Sequence, residues 1–250
     1  MIFQEPLYDL DELARYNLHV HTVFSLCAKA PALLFAILKA AQAARLKGIA
    51  LTDHFNDDIS SEQYMEHIRL LKQEAERFNT SELKVYYGAE LSAYEPGKSL
   101  ESESLRQSLD YRLYTVNHFH LNFWGHPKEN TPAAYALYML DIMRSFILTK
   151  KAHCFAHPFI GRFIHQFEDQ TLVTKALSDN QLGDIFCLAK KNGVAWEINS
   201  GAIIGDPEFA RRYWNLGREC GVTFHYGTDA HHPDNVDTAK TLPLVKKILL

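Results

Sequence analysis

Short apolar runs alternate with helical segments along this chain, and this alternation constrains the fold more than any other feature of the sequence. Strands that are separated by helices pair in parallel through right-handed crossovers, which predicts an α/β fold. A closed barrel and an open doubly wound sheet both satisfy this order. No GxGxxG motif follows the first run, which disfavours a dinucleotide-binding sheet. The seven predicted strands are 16–20, 48–52, 83–89, 112–117, 152–156, 194–198 and 222–226.

Capping residues mark the helices between these strands. Two segments have the S-x-x-Q spacing of a capping box, and two have an N-cap residue followed directly by proline. In the first helix, Pro31 would lie near the start and Gly48 would follow the last turn. The predicted N-caps of the other helices are Ser60, Thr131, Ser178 and Asp206.

The composition is that of a globular domain. Apolar residues make up 47% and charged residues 22% of the 250 residues, which excludes a disordered or collagen-like chain. No repeat, linker or low-complexity tract divides the sequence, so we expect residues 1–250 to form one domain. The most polar stretch, 95–108, is expected to be a surface loop or a short helix.

Charge and cysteine usage bear on partners and location. The net charge of −4 shows no basic excess that would indicate a nucleic-acid partner, although such a partner stays open. The longest apolar run, 30–38, is too short to cross a membrane. The four cysteines form no CxxC pair and are expected to be free thiols of a reducing compartment. Because the N-terminus has no signal-like segment, we expect a cytoplasmic protein.

Potential metal ligands follow every predicted strand. His19 and His21 project to the same side because side chains alternate along a strand. Imidazole and carboxylate together suit zinc, manganese or iron, and in a barrel all these strand ends meet on one face. Each motif alone is weak, but their joint occurrence predicts a metal centre. The set comprises His19, His21, Asp53, His54, Glu90, His118, His157, Glu197, Asn199, Asp229 and His231.

Some members of this set have competing interpretations. Asp53 either orients His54 or caps its loop, and both roles stay open. Glu197 is expected to tie the ligand loops together without acting in catalysis. After the fourth strand, His120 is an alternative to His118, which the register of the motif favours.

Seven short motifs, in their order along the chain, resemble the PHP family, the polymerase and histidinol phosphatase superfamily. Together they cover nearly the whole chain. The resemblance implies a distorted (β/α)7 barrel with a metal site at the C-terminal ends of the strands. It also implies a centre of two or three divalent ions that hydrolyses phosphate esters. The motifs are LHVHTVFS (18–25), IALTDHF (49–55), GAELS (88–92), NHF around His118, FAHPF (155–159), EINSG (197–201) and GTDAH (227–231).

The resemblance further implies which residues hold the ions, with zinc, manganese or iron as the expected metals. The family often has another histidine six residues after the second histidine of the first motif, and this chain has Cys27 there. Cys27 is either a thiolate ligand of the third ion or a small thiol without chemistry. The implied ligand sets are His19, His21, Glu90 and Asp229 for the first ion; Glu90, His118 and His157 for the second; and His54 with His231 for the third.

Hydrolysis of a phosphate ester needs a nucleophile at neutral pH and relief of charge on the phosphoryl oxygens, and clustered divalent ions supply both. We expect a hydroxide that bridges the first two ions to attack, with Glu90, His54 and Asp229 as catalytic residues. Arg162 and Lys29 are candidate phosphate contacts, each with the alternative of a solvated surface charge.

Three functions compete. We favour a phosphomonoesterase acting on a small phosphorylated substrate, with histidinol phosphate as one candidate by analogy. The alternatives are a nuclease or nucleotide phosphodiesterase, and a catalytically silent metal-stabilised domain. An amidohydrolase-type barrel also begins with HxH but usually has eight strands and a lysine near the fourth, and no lysine lies between Lys98 and Lys128. The oligomeric state stays open.

Overall fold

Strands and helices alternate along the chain. The computed structural model describes residues 2, 5–28, 32–78 and 81–250. None of the helices in these ranges is long and apolar enough to cross a membrane. The strands are β1 (Tyr16–Val20), β2 (Gly48–Leu51), β3 (His54–Phe55), β4 (Lys84–Glu95), β5 (Lys98–Ser99), β6 (Tyr111–Thr115), β7 (Cys154–Phe155), β8 (Ala195–Asn199) and β9 (Phe224–Gly227). The helices are α1 (Leu10–Leu13), α2 (Leu34–Ala43), α3 (Ser61–Ala75), α4 (Glu103–Ser108), α5 (Pro132–Leu148), α6 (Leu172–Lys175), α7 (Asp179–Asn192), α8 (Ser200–Gly205), α9 (Pro207–Cys220) and α10 (Leu242–Leu249).

Seven of the described strands form a nearly closed parallel barrel. Their order is β1-β2-β4-β6-β7-β8-β9, and every neighbouring pair is parallel. The end of β1 meets the segment after β9 through a parallel bridge between Val20 and Ala230, where His21 N donates to Ala230 O at 2.9 Å. β3 lies parallel to β4 and β5 antiparallel to it. The predicted (β/α)7 barrel is confirmed, and the open doubly wound sheet is wrong.

The helices begin where the capping residues predict. Both capping boxes are complete, with Ser60 and Ser178 as N-caps of α3 and α7. Thr131 and Asp206 cap α5 and α9, each with proline at the next position. Gly193 ends α7 with a φ of 70°, a left-handed conformation that glycine adopts without a steric cost.

Other local expectations need correction. Pro31 lies outside the described residues. The left-handed residue after α2 is Arg45, with a φ of 54°, and Gly48 opens β2, as the predicted strand 48–52 requires. A Cβ at Gly48 would meet Tyr16 Cδ1 at 2.7 Å, so a larger residue there would displace the Tyr16 ring. The polar stretch 95–108 contains the expected short helix, α4, but it also contains β5, and Glu101 within it is buried.

The interior of the barrel divides into an apolar and a polar end. Outside the barrel, helices cover the sheet with fully buried large side chains such as Phe186 and Trp214. The C-terminal end of the interior holds buried polar groups, which have to be satisfied by one another or by a ligand. The other end of the interior is filled by one large side chain, Tyr111, and by smaller ones: Leu18, Ala50, Leu113, Cys154, Ala156 and Ala195.

Candidate metal centre

The side chains predicted as metal ligands converge at the C-terminal end of the barrel. His19 lies on β1, His54 on β3 and Glu90 on β4, and the others follow β1, β6, β7 and β9 within a few residues. Within the described residues, the histidines and carboxylates form four overlapping groups whose ligand atoms lie within 4.8 Å of one another. The groups are His19, His21 and Asp229; His19, Glu90 and His157; His54, Glu90 and His118; and His21, His54 and His231.

His19 and His21 direct the same ring nitrogen to one point. Their Nε2 atoms are 3.1 Å apart. Asp229 Oδ1 lies 3.1 Å from His21 Nε2 and 3.4 Å from His19 Nε2. Glu90 Oε2 lies 3.4 Å and 3.6 Å from the Nε2 atoms of His19 and His21. Two nitrogens and two carboxylate oxygens thus surround a space suited to one cation.

Hydrogen bonds on the far side of each ring fix which nitrogen faces inward. His19 Nδ1 donates to Glu197 Oε1 at 2.8 Å, since a carboxylate only accepts. Ser25 Oγ donates to Asp53 Oδ1 at 2.7 Å and therefore accepts from His21 Nδ1 at 3.0 Å. In the neutral rings both Nε2 atoms then direct lone pairs at each other. Only a proton or a cation between them relieves this repulsion, so the residues fit a metal ion.

Glu90 stands between the ligand groups. Its Oε1 lies 3.0 Å from His157 Nε2 and 3.6 Å from His118 Nε2, and its Oε2 lies 2.9 Å from His54 Nδ1. Oε2 makes no well-formed hydrogen bond with any described residue. Burial raises the pKa of this carboxyl, but the surrounding histidines, first His54 and then His19, hold the pKa well below its ordinary value. A buried, ionised carboxylate with both oxygens directed at different histidines is suited to bridging two ions.

Cys27 contacts the outermost group. Its Sγ lies 3.0 Å from His231 Nε2, and the His231 ring stacks on that of His21 with centroids 4.1 Å apart. Burial raises the pKa of the Cys27 thiol, but hydrogen bonds with His231 and His54 outweigh this and lower the pKa to about 7. A thiolate is accessible at neutral pH in such surroundings and is a good zinc ligand. The position of Cys27 is compatible with the ligand role, which stays a prediction.

The backbone at the centre is strained. His157, Phe159 and Asp229 have φ angles of 26°, 67° and 55°. Such conformations of residues other than glycine cost about 1–3 kcal/mol each and persist where surrounding contacts enforce them. At His157, the backbone N donates to Glu197 Oε2 at 2.5 Å, and Asn117 Nδ2 donates to the carbonyl oxygen at 3.1 Å. The fold therefore holds two of the predicted ligands in conformations that they would not adopt alone.

Asp53 does not act as the orienting partner of His54. Its carboxylate accepts from Thr22 N at 2.6 Å, Thr22 Oγ1 at 2.7 Å and Ser25 Oγ at 2.7 Å. These bonds fix the loop after β1, so the capping interpretation is the one that applies. Through Ser25, the same carboxylate also holds the ring of His21.

Of the two histidines after β6, the structure places His118 at the site. His118 is buried with its Nε2 near Glu90, whereas His120 is exposed. Ser25 had no predicted role, although its hydroxyl joins Asp53 to His21. The available signal was its place within the first motif, four residues after His21.

A cleft of about 900 Å³ lies above the ligand groups. Phe24 and Phe163 are among the aromatic side chains that line it. Arg162 places Nη2 4.0 Å from Asp229 Oδ2, and its guanidinium lies 4.6 Å from the centre of the Phe163 ring. Arg162 is therefore close enough to the ligand groups to contact an anion bound there. Lys29, the other predicted phosphate contact, lies outside the described residues.

A parallel (β/α)7 barrel with overlapping imidazole and carboxylate groups at its C-terminal end defines a class of proteins with a multi-metal centre. The family model described as the PHP domain matches residues 17–201. This match spans more than half of the chain, and the chain belongs to the PHP domain family. A comparison with curated proteins gave no significant match.

Two solved structures share the fold. One is histidinol phosphate phosphatase (HisK) from Lactococcus lactis subsp. lactis, complexed with zinc, L-histidinol and phosphate. It is 18% identical over 93% of this chain and 93% of its own, with a TM-score of 0.61. The other belongs to the metal-dependent tyrosine phosphatases YwqE from Bacillus subtilis and CpsB from Streptococcus pneumoniae. It is 16% identical over 93% of this chain and 86% of its own, with a TM-score of 0.53. At these identities the likeness concerns the barrel.

Proposed function

We propose that this protein is a metal-dependent phosphomonoesterase that acts on a small phosphorylated substrate. The observation that carries the proposal is the convergence of imidazole and carboxylate ligands beneath a cleft of about 900 Å³. When bound, divalent ions lower the pKa of water and neutralise charge on phosphoryl oxygens. Membership of the PHP family supports the same class of reaction.

The contacts suggest a role for each side chain. Glu90 would join two ions through its two oxygens, and Glu197 and Ser25 would keep the rings of His19 and His21 turned inward. Arg162 would pair with a phosphate oxygen, for which a guanidinium is well suited, and Lys29 stays a second candidate. The proposed ligand sets are His19, His21, Glu90 and Asp229; Glu90, His118 and His157; and His54, His231 and Cys27.

Charges around the cleft favour a small substrate over a nucleic acid. Asp57, Asp58 and Glu66 line the cleft, and among its described lining residues Arg162 is the only lysine or arginine. A nucleic-acid groove needs cationic groups along the whole strand. A phosphate ester that also carries a cationic group would place that group against these carboxylates. Histidinol phosphate is the first candidate, since L-histidinol and phosphate bind the zinc protein of similar fold.

Metal content is the first test of this function. Protein purified without chelator should contain at least about two divalent ions per chain by elemental analysis, with zinc, manganese or iron dominant. Less than about half an equivalent of metal, in protein never exposed to chelator, would contradict a catalytic metal centre.

Substrate preference is the second test. Protein reconstituted with zinc, manganese or iron should hydrolyse phosphomonoesters, histidinol phosphate among them, with kcat/KM at least about tenfold above that for diesters and single-stranded oligonucleotides. A preference for diesters would instead favour a nuclease. Fully loaded protein that hydrolyses none of these substrates would favour a metal-stabilised domain without activity.

A further inference from the structure

Two cysteines away from the metal centre lie in sulfur–sulfur contact. Cys187 on α7 and Cys220 at the end of α9 are 33 positions apart in the chain, and their Sγ atoms are 3.2 Å apart. Cys187 is exposed and Cys220 is half-buried. By contrast, Cys154 is buried and Cys27 contacts His231. The pair is therefore an accessible dithiol, and neither residue lines the cleft.

Other contacts hold the two helices in place around this dithiol. Arg212 on α9 donates to Asp179 Oδ1 at the start of α7 at 2.8 Å and 2.9 Å, and to Leu177 O at 2.6 Å. Cys220 Sγ also lies 3.6 Å from the carbonyl oxygen of Gly183, one turn before Cys187 on α7. A disulfide requires the sulfurs to approach to about 2.05 Å, and side-chain rotation can supply a movement of this size while the helices stay packed.

We propose that Cys187 and Cys220 form a reversible disulfide when the protein meets a peroxide. The exposed Cys187 thiolate attacks the O–O bond of hydrogen peroxide, which yields a sulfenic acid and hydroxide. The Cys220 sulfur then attacks Cys187 Sγ, so that an S–S bond forms and the S–O bond breaks. The departing oxygen leaves as water with the proton from Cys220. In sum, two thiols lose two electrons, and hydrogen peroxide is reduced to two waters.

The surroundings of the two thiols indicate a different role for each. Burial and the hydrogen bond with Cys187 raise the pKa of Cys220 to about 11, which suits the exposed Cys187 as the attacking thiol and Cys220 as the resolving one. The thiolate fraction of Cys220 rises with pH, so closure should become faster at higher pH. The new bond would close a loop that contains β8 and α8. Such cross-links stabilise mainly by restricting the unfolded chain, and we expect the melting temperature to rise by several degrees.

The test uses the full metal-loaded chain treated with hydrogen peroxide and then alkylated. We expect a mass loss of about 2 Da, a peptide pair that links positions 187 and 220, and a higher melting temperature that dithiothreitol reverses. Cys187→Ser and Cys220→Ser should each lose the link and the temperature shift, whereas Cys27→Ser should keep both. Sulfinic acid at Cys187 without a link, a link to another cysteine, or no reaction under conditions that oxidise free glutathione would overturn the proposal.

Discussion

Replacement of Glu197 by glutamine tests whether the hydrogen bonds behind the ligands determine metal affinity. Glu197 Oε1 accepts from His19 Nδ1 at 2.8 Å, and its Oε2 accepts from His157 N at 2.5 Å and from Asn199 Nδ2 at 3.4 Å. Glutamine offers one acceptor oxygen and one donor nitrogen at these two places. Either orientation of the amide therefore sets an N–H against a group that is a donor in the native protein.

Both orientations weaken metal binding. If the amide nitrogen faces His19, Nδ1 has to accept, the proton moves to Nε2, and that nitrogen no longer has a lone pair for an ion. If the amide nitrogen faces His157 N instead, the strained loop loses a hydrogen bond to a charged group, which is worth about 1.5–3 kcal/mol. Loss of such partners of metal-binding residues costs about 10–100-fold in affinity, or about 1.4–2.7 kcal/mol. We expect Glu197→Gln to fall in this range.

The measurement is a competition titration of chelator-stripped protein with zinc at one fixed pH. Glu101→Gln is the matched control, because Glu101 is also a buried glutamate but bonds to Tyr114 and Arg106 instead of the ligand residues. This control should keep the wild-type affinity. Circular dichroism of both stripped variants separates loss of binding from loss of fold. Wild-type zinc affinity in folded Glu197→Gln protein would refute the reasoning.

Three further outcomes concern the centre and its cleft. Glu90→Gln should lower kcat by at least about two orders of magnitude while the fold survives, because an amide cannot hold two ions as a carboxylate does; near-normal turnover at full metal content would remove Glu90 from the centre. Cys27→Ser should lower both third-ion content and turnover, whereas Cys27→His should keep them; unchanged metal content and turnover in the serine variant would mean that the thiol only packs. Arg162→Ala should raise KM about tenfold, the equivalent of one charge-assisted hydrogen bond, and leave kcat nearly unchanged; an unaltered KM would show that Arg162 is a solvated surface charge.

The barrel could be predicted because its signals are local. Most of the parallel strands are short, largely apolar runs, and capping boxes such as that of Ser60 and Gln63 mark the helix starts within a few residues. The C-terminal end of β4 was predicted wrongly, because its position depends on pairing with other segments. This strand was predicted to end at residue 89 but continues to Glu95, because its extension pairs with β6 as far as Ser92 and then with β5, which follows a tight turn at Gly97 with a φ of 76°. Pairing of that kind depends on the partner segment, which local patterning does not identify.

In the metal centre too, features set by neighbouring residues could be predicted, and contacts between distant residues could not. The positions of His19 and His21 followed from the two-residue period of a strand, and the structure places both rings together as that period requires. Glu197 was expected to tie the ligand loops together, but which rings it and Ser25 contact does not follow from such a period. Glu197 lies 178 positions from His19 in the chain, and only the closed barrel brings the two side chains to 2.8 Å. The contact between Cys187 and Cys220 could not be predicted either, since the two residues are 33 positions apart and form no short motif.

Protons and metal ions compete for the same place in this centre, and the competition predicts how stability depends on pH. Burial opposes charge on His19 and His54, but the neighbouring carboxylates, joined at His54 by Cys27, outweigh it and hold both pKa values well above the ordinary one in the ion-free protein. A histidine whose pKa is raised by folding stabilises the protein below its unfolded pKa, and this contribution is lost as the pH rises through the folded pKa. Metal-stripped protein should therefore stay folded at neutral pH and lose stability in alkaline solution.

The loaded protein should not show this alkaline loss, because ions replace the protons between the carboxylates and the rings. The check is the melting temperature of stripped and zinc-loaded protein from about pH 6 to pH 10, a range above the ordinary pKa of the carboxyls. The difference in melting temperature between the stripped and the zinc-loaded protein should widen as the pH rises. A difference that stays constant across this range would mean that His19 and His54 carry no extra protons in the stripped protein. The charge of Glu90 and Asp229 would then be compensated in some other way.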